Sequence, residues 1–386
     1  MRPLKIGFLT PYSGIYPFYS AHLCTGWMLG MGLDPARQQS VVFTAAFTQL
    51  GGPQVTADAA RKLQFFDQVD VLSGLVSYKS VAHLIPVVDS GHKPAFFFDM
   101  GEYVPHFPQL HPDIFWASHQ LWQSEYALGY WAQQRFGSGG HLVMPVYEAG
   151  YHLGNTFQQG IEAAGGKDLH VTILPYDQRT PTDMRLDLVF DTLKEQAPPY
   201  VHAVLCGQFG NRFLRAWVEY GMHKKFPLLI NETMTYDDVL QDVQHIDMEL
   251  YTAMMWNRED ERKENKKFVK TFETVTKQPA NIFGLMGYEA GLLWKELLTP
   301  ARKGDWDYVK ARIREAVIKG PRGDKNFYPL SGFALPQADI MKIRTSNNKI
   351  QKIIIDQGNG MHFNAPAFEA IHRDCISGWQ NPFLCV

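Results

Sequence analysis

The side chains in this chain that have chemistry to offer gather directly behind short apolar runs. KIGFL is followed by TPYSGIYPFYSA, residues 10–21, which sets Tyr12, Tyr16, Phe18 and Tyr19 among two prolines and one glycine. Many α/β proteins carry a glycine-rich phosphate loop at this point. Aromatic rings offer stacking and an apolar wall instead. In SGLVSYKS, residues 73–80, an apolar run ends in Gly74, with small hydroxyls ahead of a helix that begins near Lys79. Unpaired N–H groups at such a helix start hold anions, carboxylates included, and Ser77 and Ser80 add hydroxyl donors. Ordinary capping by the same serines is the competing reading. In NETMTY, residues 231–236, Glu232 offers a carboxylate to a ligand ammonium; the alternative is a solvated loop acid. DMGEY (99–103), YEAGY (147–151) and GQFGN (207–211) complete the set. All six stretches fall at the C-terminal ends of predicted strands, where open α/β sheets bind ligands.

Chemistry of other kinds is absent from the motifs. The sequence has no GxSxG elbow, no Walker loop and no GxGxxG after a strand. It has no CxxC and no HExxH either, so no metal or cofactor is expected. GWMLGMG (26–32) carries its glycines inside a helical pattern. His22, His83, His92 and His119 lack a triad-type neighbour and read as structural. With 37 basic and 39 acidic side chains the net charge is −2, which argues against a nucleic-acid partner. REDERKENKK (258–267) alternates in sign, as a solvated helix face does. No run approaches the roughly 18 apolar residues of a membrane-spanning helix, so direct membrane insertion is not expected. MRPLKIGFLT lacks the apolar core of a signal peptide. Either the protein is cytoplasmic, or a signal peptide has been removed and it is periplasmic or otherwise extracytoplasmic. Cys24 and Cys206 read as buried and inert. Cys375 and Cys385 flank CISGWQNPFLC; they form a disulfide in an oxidising compartment or two thiols in a reducing one.

The elements that must position these loops alternate strand and helix. Strands are predicted at KIGFLT, 41–47, 69–74, 94–99 and 113–118, with helices over about 20–33, 55–67 and 80–90. On the second of these helices Val55, Ala59, Leu63 and Phe66 share a face. The cycle restarts with helices over 121–136, 150–164, 183–196 and 210–221. Strands lie at 141–147, 169–175, 201–207, 226–231 and 249–256. Three helices follow at 260–276, 281–298 and 305–318; in the second, Met286, Ala290, Leu293 and Leu297 form a core stripe. FALPQADIMKIRT and KIQKIIID around SNNK read as a hairpin. Short apolar runs separated by amphipathic helices predict parallel sheets covered on both faces. The length of 386 residues exceeds what one core sustains, which predicts two lobes. A late hairpin packing back on a lobe makes at least one of them discontinuous in sequence.

KIGFLTPYSG, ADAARKLQFFDQVDVLSGLVSYKSVAHLIPVVDSGHKPAFFF, HLVMPVYEAGYHLGNTFQQGIEAAGG and GLMGYEAGLLWKEL together resemble type I periplasmic substrate-binding proteins. The branch that binds branched-chain amino acids and amides is the nearest. The resemblance runs over roughly 4–356. It implies two Rossmann-like lobes joined by three hinge crossings, with 1–119 plus about 256–325 in the first and 120–255 plus about 326–386 in the second. By the same resemblance Tyr16 and Phe18 wall the ligand, and Ser77, Tyr78 and Ser80 cap its polar end with backbone at Met100 and Gly101. Tyr151, Gln208, Phe209 and Glu232 close from the second lobe, and Trp256 lies near a hinge. Tyr78 stands where the family has a serine. Met100, Gly101 and Glu102 stand where it has small hydroxyl-bearing residues.

Three functions follow as expectations. One is capture of a small organic molecule, such as an amino acid, an amide or an aromatic or apolar compound, in an interlobe cleft, with delivery to an ABC transporter permease. The second is a cytoplasmic ligand sensor of the same fold that regulates a partner protein. The third, an α/β enzyme without a recognised motif, ranks last because no catalytic group is needed for the first two.

Overall fold

The computed structural model describes residues 2–37, 39–175, 184–329, 337–361, 364–375 and 379–384. In chain order the first stretch contains β1 (Leu4–Thr10), α1 (Tyr19–Gly30), β2 (Val41–Phe47), α2 (Pro53–Arg61), β3 (Val71–Leu75), α3 (Val81–Gly91), β4 (Ala95–Asp99) and β5 (Ile114–Ser118). Next come α4 (Leu121–Phe136), β6 (Gly140–Pro145), α5 (Leu153–Ala163), β7 (Leu169–Leu174), α6 (Leu186–Gln196), β8 (Val201–Ala203), α7 (Gly207–Glu219), β9 (Leu228–Ile230), α8 (Asp237–Leu240) and β10 (Met248–Met254). A third stretch holds α9 (Lys263–Thr276), α10 (Ile282–Lys303), α11 (Trp306–Glu315), β11 (Ile318–Gly320) and β12 (Gly323–Lys325). The last holds β13 (Asp339–Ser346), β14 (Lys349–Gln357) and α12 (Ala365–Asp374).

The chain divides into two compact units. The first comprises Met1–Gln120, Trp256–Pro336 and Gln380–Val386; the second comprises Leu121–Met255 and Gln337–Trp379. The sequence reading assigned everything after about 326 to the second lobe. The first unit runs on to Pro336, and Gln380–Leu384 also belong to it, so the chain passes between units four times rather than three.

The first unit is built on a five-stranded parallel sheet in the order β2-β1-β3-β4-β5. Strands β3, β4 and β5 are buried at every position, as expected of apolar runs covered by helices on both faces. Helix α10 supplies the predicted stripe: Met286, Ala290, Leu293 and Leu297 are all buried. It packs against α1 through glycines. A Cβ added at Gly26, Gly30, Gly287 or Gly291 would lie 2.1–2.2 Å from a backbone oxygen of the facing helix. GWMLGMG is therefore a helix-packing surface, and Gly32, with φ of +78°, ends the run in the left-handed region.

One predicted face is corrected. On α2 the buried residues are Thr56, Ala57, Ala60 and then Leu63, while Phe66 is 82% exposed. Val55 and Ala59 are half-buried, so the buried face is set by Pro53, Thr56, Ala57 and Ala60, and a π-helical turn follows at Lys62–Phe66.

The second unit contains a seven-stranded sheet in the order β14-β13-β10-β9-β8-β6-β7. Strands β6 to β10 are parallel; β13 and β14 add an antiparallel hairpin at one edge. Asn347 and Asn348 take φ of 49° and 58° at its tip, which suits the tight two-residue turn that SNNK predicts. The beginning of FALPQADIMKIRT lies outside the described residues. The core of this unit is a large apolar cluster that includes Phe190, Phe213, Trp217, Leu250 and Ile343.

Candidate functional site

In the first unit the loop after β1 folds into an aromatic knot. Tyr16 is buried, with its ring 5.3 Å from Phe283 and 6.2 Å from Phe18. Phe18 is half-buried and lies 4.8 Å from the His22 ring. The Tyr19 hydroxyl donates to the Pro11 carbonyl at 2.6 Å, so this ring braces the loop. Tyr12 is 51% exposed. Ser13 is buried and its hydroxyl oxygen accepts from the Tyr16 amide at 2.9 Å. His22 meets Asn281, the residue that caps α10, at 2.7 Å; burial holds its pKa down, as a structural histidine requires.

Behind β3 the chain makes one 3₁₀ turn, Tyr78–Ser80, before α3. The Ser77 hydroxyl oxygen accepts from the Lys79 amide at 3.3 Å, and the Ser77 carbonyl accepts from the Ser80 amide at 2.9 Å. Two of the amides available to an anion are thus capped from within the turn. The Ser80 hydroxyl is directed to the Gly51 carbonyl at 3.5 Å. Tyr78 is buried and stacked on Trp116 at 4.1 Å, with no hydrogen-bond partner for its hydroxyl among the described residues.

Sequence reasoning passed over the acids that lie beside this turn. Asp99 and Glu102 are each 1% exposed. Burial pushes Asp99 up to about 7, opposed by the Ser118 hydroxyl, Lys325 and the Gly101 amide. Burial first, and then the Asp99 charge, pushes Glu102 up to about 8, opposed by its own amide, the Phe383 amide and the Ser77 hydroxyl. Both carboxyls raise the Tyr78 phenol further, after burial itself. Met100 is fully buried, and Gly101 takes φ of +75°, a turn that lets the chain reverse between the two acids. The signal was present in DMGEY. Two carboxylates three residues apart, at the end of a strand buried on both faces, have little access to water.

A second buried set in this unit is structural. Arg322 makes a bidentate pair with Glu289 at 2.9 Å and meets His119 at 3.1 Å; Lys325 lies 3.4 Å from Glu289. Burial lowers Lys325 to about 7, assisted by Arg322. Trp256 is also spoken for: its indole N–H donates to Asn265 at 2.8 Å, and Asn265 in turn donates to the carbonyls of Asn257, Arg258 and Asp260.

In the second unit Glu232 is fully buried, which overturns its reading as a solvated loop acid. One carboxylate oxygen accepts the Met255 amide at 2.9 Å, and the other lies 3.5 Å from the Tyr236 hydroxyl. Glu232 thus holds the chain where it leaves this unit. Tyr151 is 7% exposed, and its carbonyl accepts from the Cys375 thiol at 3.3 Å. Gln208 is exposed and Phe209 half-buried in the first turn of α7. The missed acid here is Glu148, 4% exposed, which accepts the Cys206 S–H at 3.0 Å and is pushed up to about 7 by burial. Cys206 and Cys24 are half-buried rather than buried. Cys385, and with it the Cys375–Cys385 pairing, lies outside the described residues.

No group of three or more metal-ligating side chains occurs among the described residues, and no described helix is long and apolar enough to cross a membrane. Two parallel-rich α/β units, with aromatic and polar loops at their strand ends, have the architecture of the type I periplasmic binding proteins. The family model for periplasmic binding proteins matches residues 3–348, and the chain belongs to that family, whose members bind rather than catalyse. No curated protein matches the sequence. Among solved structures, an ABC transporter substrate-binding protein from Sphaerobacter thermophilus superposes with a TM-score of 0.77 at 18% identity, covering 92% of this chain and 98% of its own. A solute-binding protein of an ABC transporter from Rhodopseudomonas palustris, in complex with 3,4-dihydroxybenzoic acid, gives 0.71 at 18% identity, with 93% and 98% covered. A leucine-binding protein from Thermotoga maritima gives 0.69 at 14% identity, with 92% and 99% covered.

Proposed function

We propose that this protein captures a small organic molecule outside the cytoplasm and delivers it to an ABC transporter. The observation that carries this is the content of the strand-end loops. Where a phosphate loop would stand, half-buried Phe18 lies on the buried ring of Tyr16, both against Phe283 of α10, and the next loops carry Ser77, Tyr78, Ser80, Met100 and Gly101. In the second unit Tyr151, Gln208 and Phe209 occupy the corresponding strand ends. Glu232 and Trp256, each committed to hydrogen bonds at the point where the chain changes unit, act on binding through the positions of their neighbours. The ring-rich loop after β1 favours a ligand with an aromatic or apolar body and one polar end. Structures bound to 3,4-dihydroxybenzoate and named for leucine lie within reach of this description.

A ligand that binds only the native state raises the melting temperature. Thermal-shift measurements with benzoate, 4-hydroxybenzoate, 3,4-dihydroxybenzoate, leucine and a set of aliphatic amides should yield at least one saturable increase. Phe18→Ala and Tyr151→Ala should then weaken calorimetric affinity for that compound by roughly 1–4 kcal/mol, the range of aromatic anchors. Unchanged affinity in both variants overturns the site. No shift with any compound in the panel overturns the ligand class.

A further inference from the structure

The residues after Trp379 have no role in the reading above, yet they lie across the loops on which it rests. Phe383 and Leu384 are 2% and 1% exposed. Ser13, in the loop after β1, donates its hydroxyl to the Leu384 carbonyl at 3.1 Å. Pro382 sits against the loop after β2, where a Cβ added at Gly51 would lie 2.6 Å from its ring. The Phe383 amide faces the Glu102 carboxyl in the loop after β4. The Leu384 amide closes back on the Pro382 carbonyl at 2.9 Å, a three-residue turn that drives the Phe383 ring inward. One short segment thus touches three strand-end loops of the first unit, and its Ser13 anchor is the residue that also fixes the Tyr16 amide.

We propose that residues 380–384 are a latch across the binding loops of the first unit, anchored by Ser13 and packed on Gly51, with the Glu102 carboxyl buried beneath it, and that the seated latch positions Tyr16 and the Ser77–Ser80 turn for ligand. The inference rests on the ligand-binding reading of those loops, but the latch itself is measurable without any ligand.

Glu102 makes the latch sensitive to pH. Its carboxyl is surrounded by Asp99 from β4, Ser77 and Tyr78 from the turn after β3, and the Phe383 amide; beyond Asp99 stand Ser118 of β5 and Lys325 of β12. The nearby donors lower the cost of its charge, yet its carboxylate oxygens have no hydrogen-bond partner among the described residues. In the seated state it titrates at about 8. With the segment released, water reaches the carboxyl and the pKa returns toward its ordinary value of about 4.3. The seated state therefore binds more protons. It is favoured below about pH 4 and loses ground as pH rises toward about 8.

The test is hydrogen–deuterium exchange of the full chain, read on the peptide that contains residues 380–384 and corrected for intrinsic exchange rates. Wild-type protein should show protection at about pH 6 that falls by up to roughly tenfold per pH unit toward about pH 8, one proton's worth of linkage. Glu102→Gln should keep its protection across the range, because the carboxamide retains the shape and does not ionise. Ser13→Ala should lower protection at every pH while keeping the wild-type slope. Absence of protection in wild-type protein overturns the latch. An equal pH slope in Glu102→Gln overturns Glu102 as the group that makes the latch pH-sensitive. Neither result bears on whether the panel of small molecules binds.

Discussion

Glu148 shows what a single buried acid does to this protein. It is 4% exposed and pushed up to about 7 by burial, opposed by the Cys206 thiol and its own amide. An acid whose folded-state pKa lies above its unfolded value of about 4.3 stabilises the fold fully below that lower value. The contribution is lost as pH rises to about 7. Glu148→Gln, which cannot ionise, should therefore match wild-type stability near pH 4 and exceed it near pH 8, by something of order 1–3 kcal/mol. Paired thermal melts at the two pH values read this directly, and a gap that stays constant with pH removes Glu148 as the cause. Residues of this kind were the least legible in the sequence. The rings of Tyr16, Phe18 and Tyr19 announced themselves by type and position. Glu148, Asp99 and Glu102 are ordinary loop acids on paper. Their consequence comes from burial, which depends on how distant segments fold over them. The same gap left Glu232 open between an ammonium partner and a solvated acid, and its burial removes the second. One oxygen of its carboxylate receives the main chain at Met255.

At the scale of elements the alternating pattern was nearly complete in the sequence, because strand and helix periods differ and glycine, proline and asparagine mark the breaks. Helix α4 fell on its predicted bounds and the hairpin turned at its predicted asparagines. On α2 the buried face is carried by the small residues Thr56, Ala57 and Ala60, which give a weaker apolar period than Val55 and Phe66. The glycines of GWMLGMG were seen but not understood, because their reason is the partner helix. Helices α1 and α10 approach so closely that side chains are excluded from the contact. A methyl at Gly287 would stand 2.1 Å from the Leu23 carbonyl oxygen and 2.9 Å from the Trp27 amide, both backbone atoms that cannot swing aside. Gly287→Ala should thus destabilise by roughly 1–3 kcal/mol, despite alanine's better helix propensity. Gly52→Ala is the matched control, with nothing nearer than 3.9 Å and an ordinary φ of −63°. Chemical denaturation of both variants separates the two expectations. Equal midpoints would mean that the helices can part at little cost.

The whole molecule is where linear order misleads most. That there are two units was legible from length and from the restart of the strand–helix cycle. That the first unit is assembled from three separate segments was only partly so, since residues 380–384 gave no periodic signal. Physically, residues 1–120 supply all five strands of the first sheet but leave one face of it without α10. Trp27, Phe96 and Trp294 meet there with ring centroids 5.6–5.9 Å apart, and Trp294 belongs to α10. Removing that helix exposes the rings and the glycine surface of α1 together, and burying large aromatic side chains is worth roughly 1.5–3 kcal/mol for each. A domain's net stability is only about 5–15 kcal/mol. A fragment of residues 1–120 should therefore show no cooperative thermal transition and should bind a dye for exposed apolar surface. The same fragment joined through a flexible linker to residues 256–336 should regain a transition. A cooperative melt of residues 1–120 alone would mean that the sheet does not depend on α10, and would move the source of this unit's stability back into its first segment.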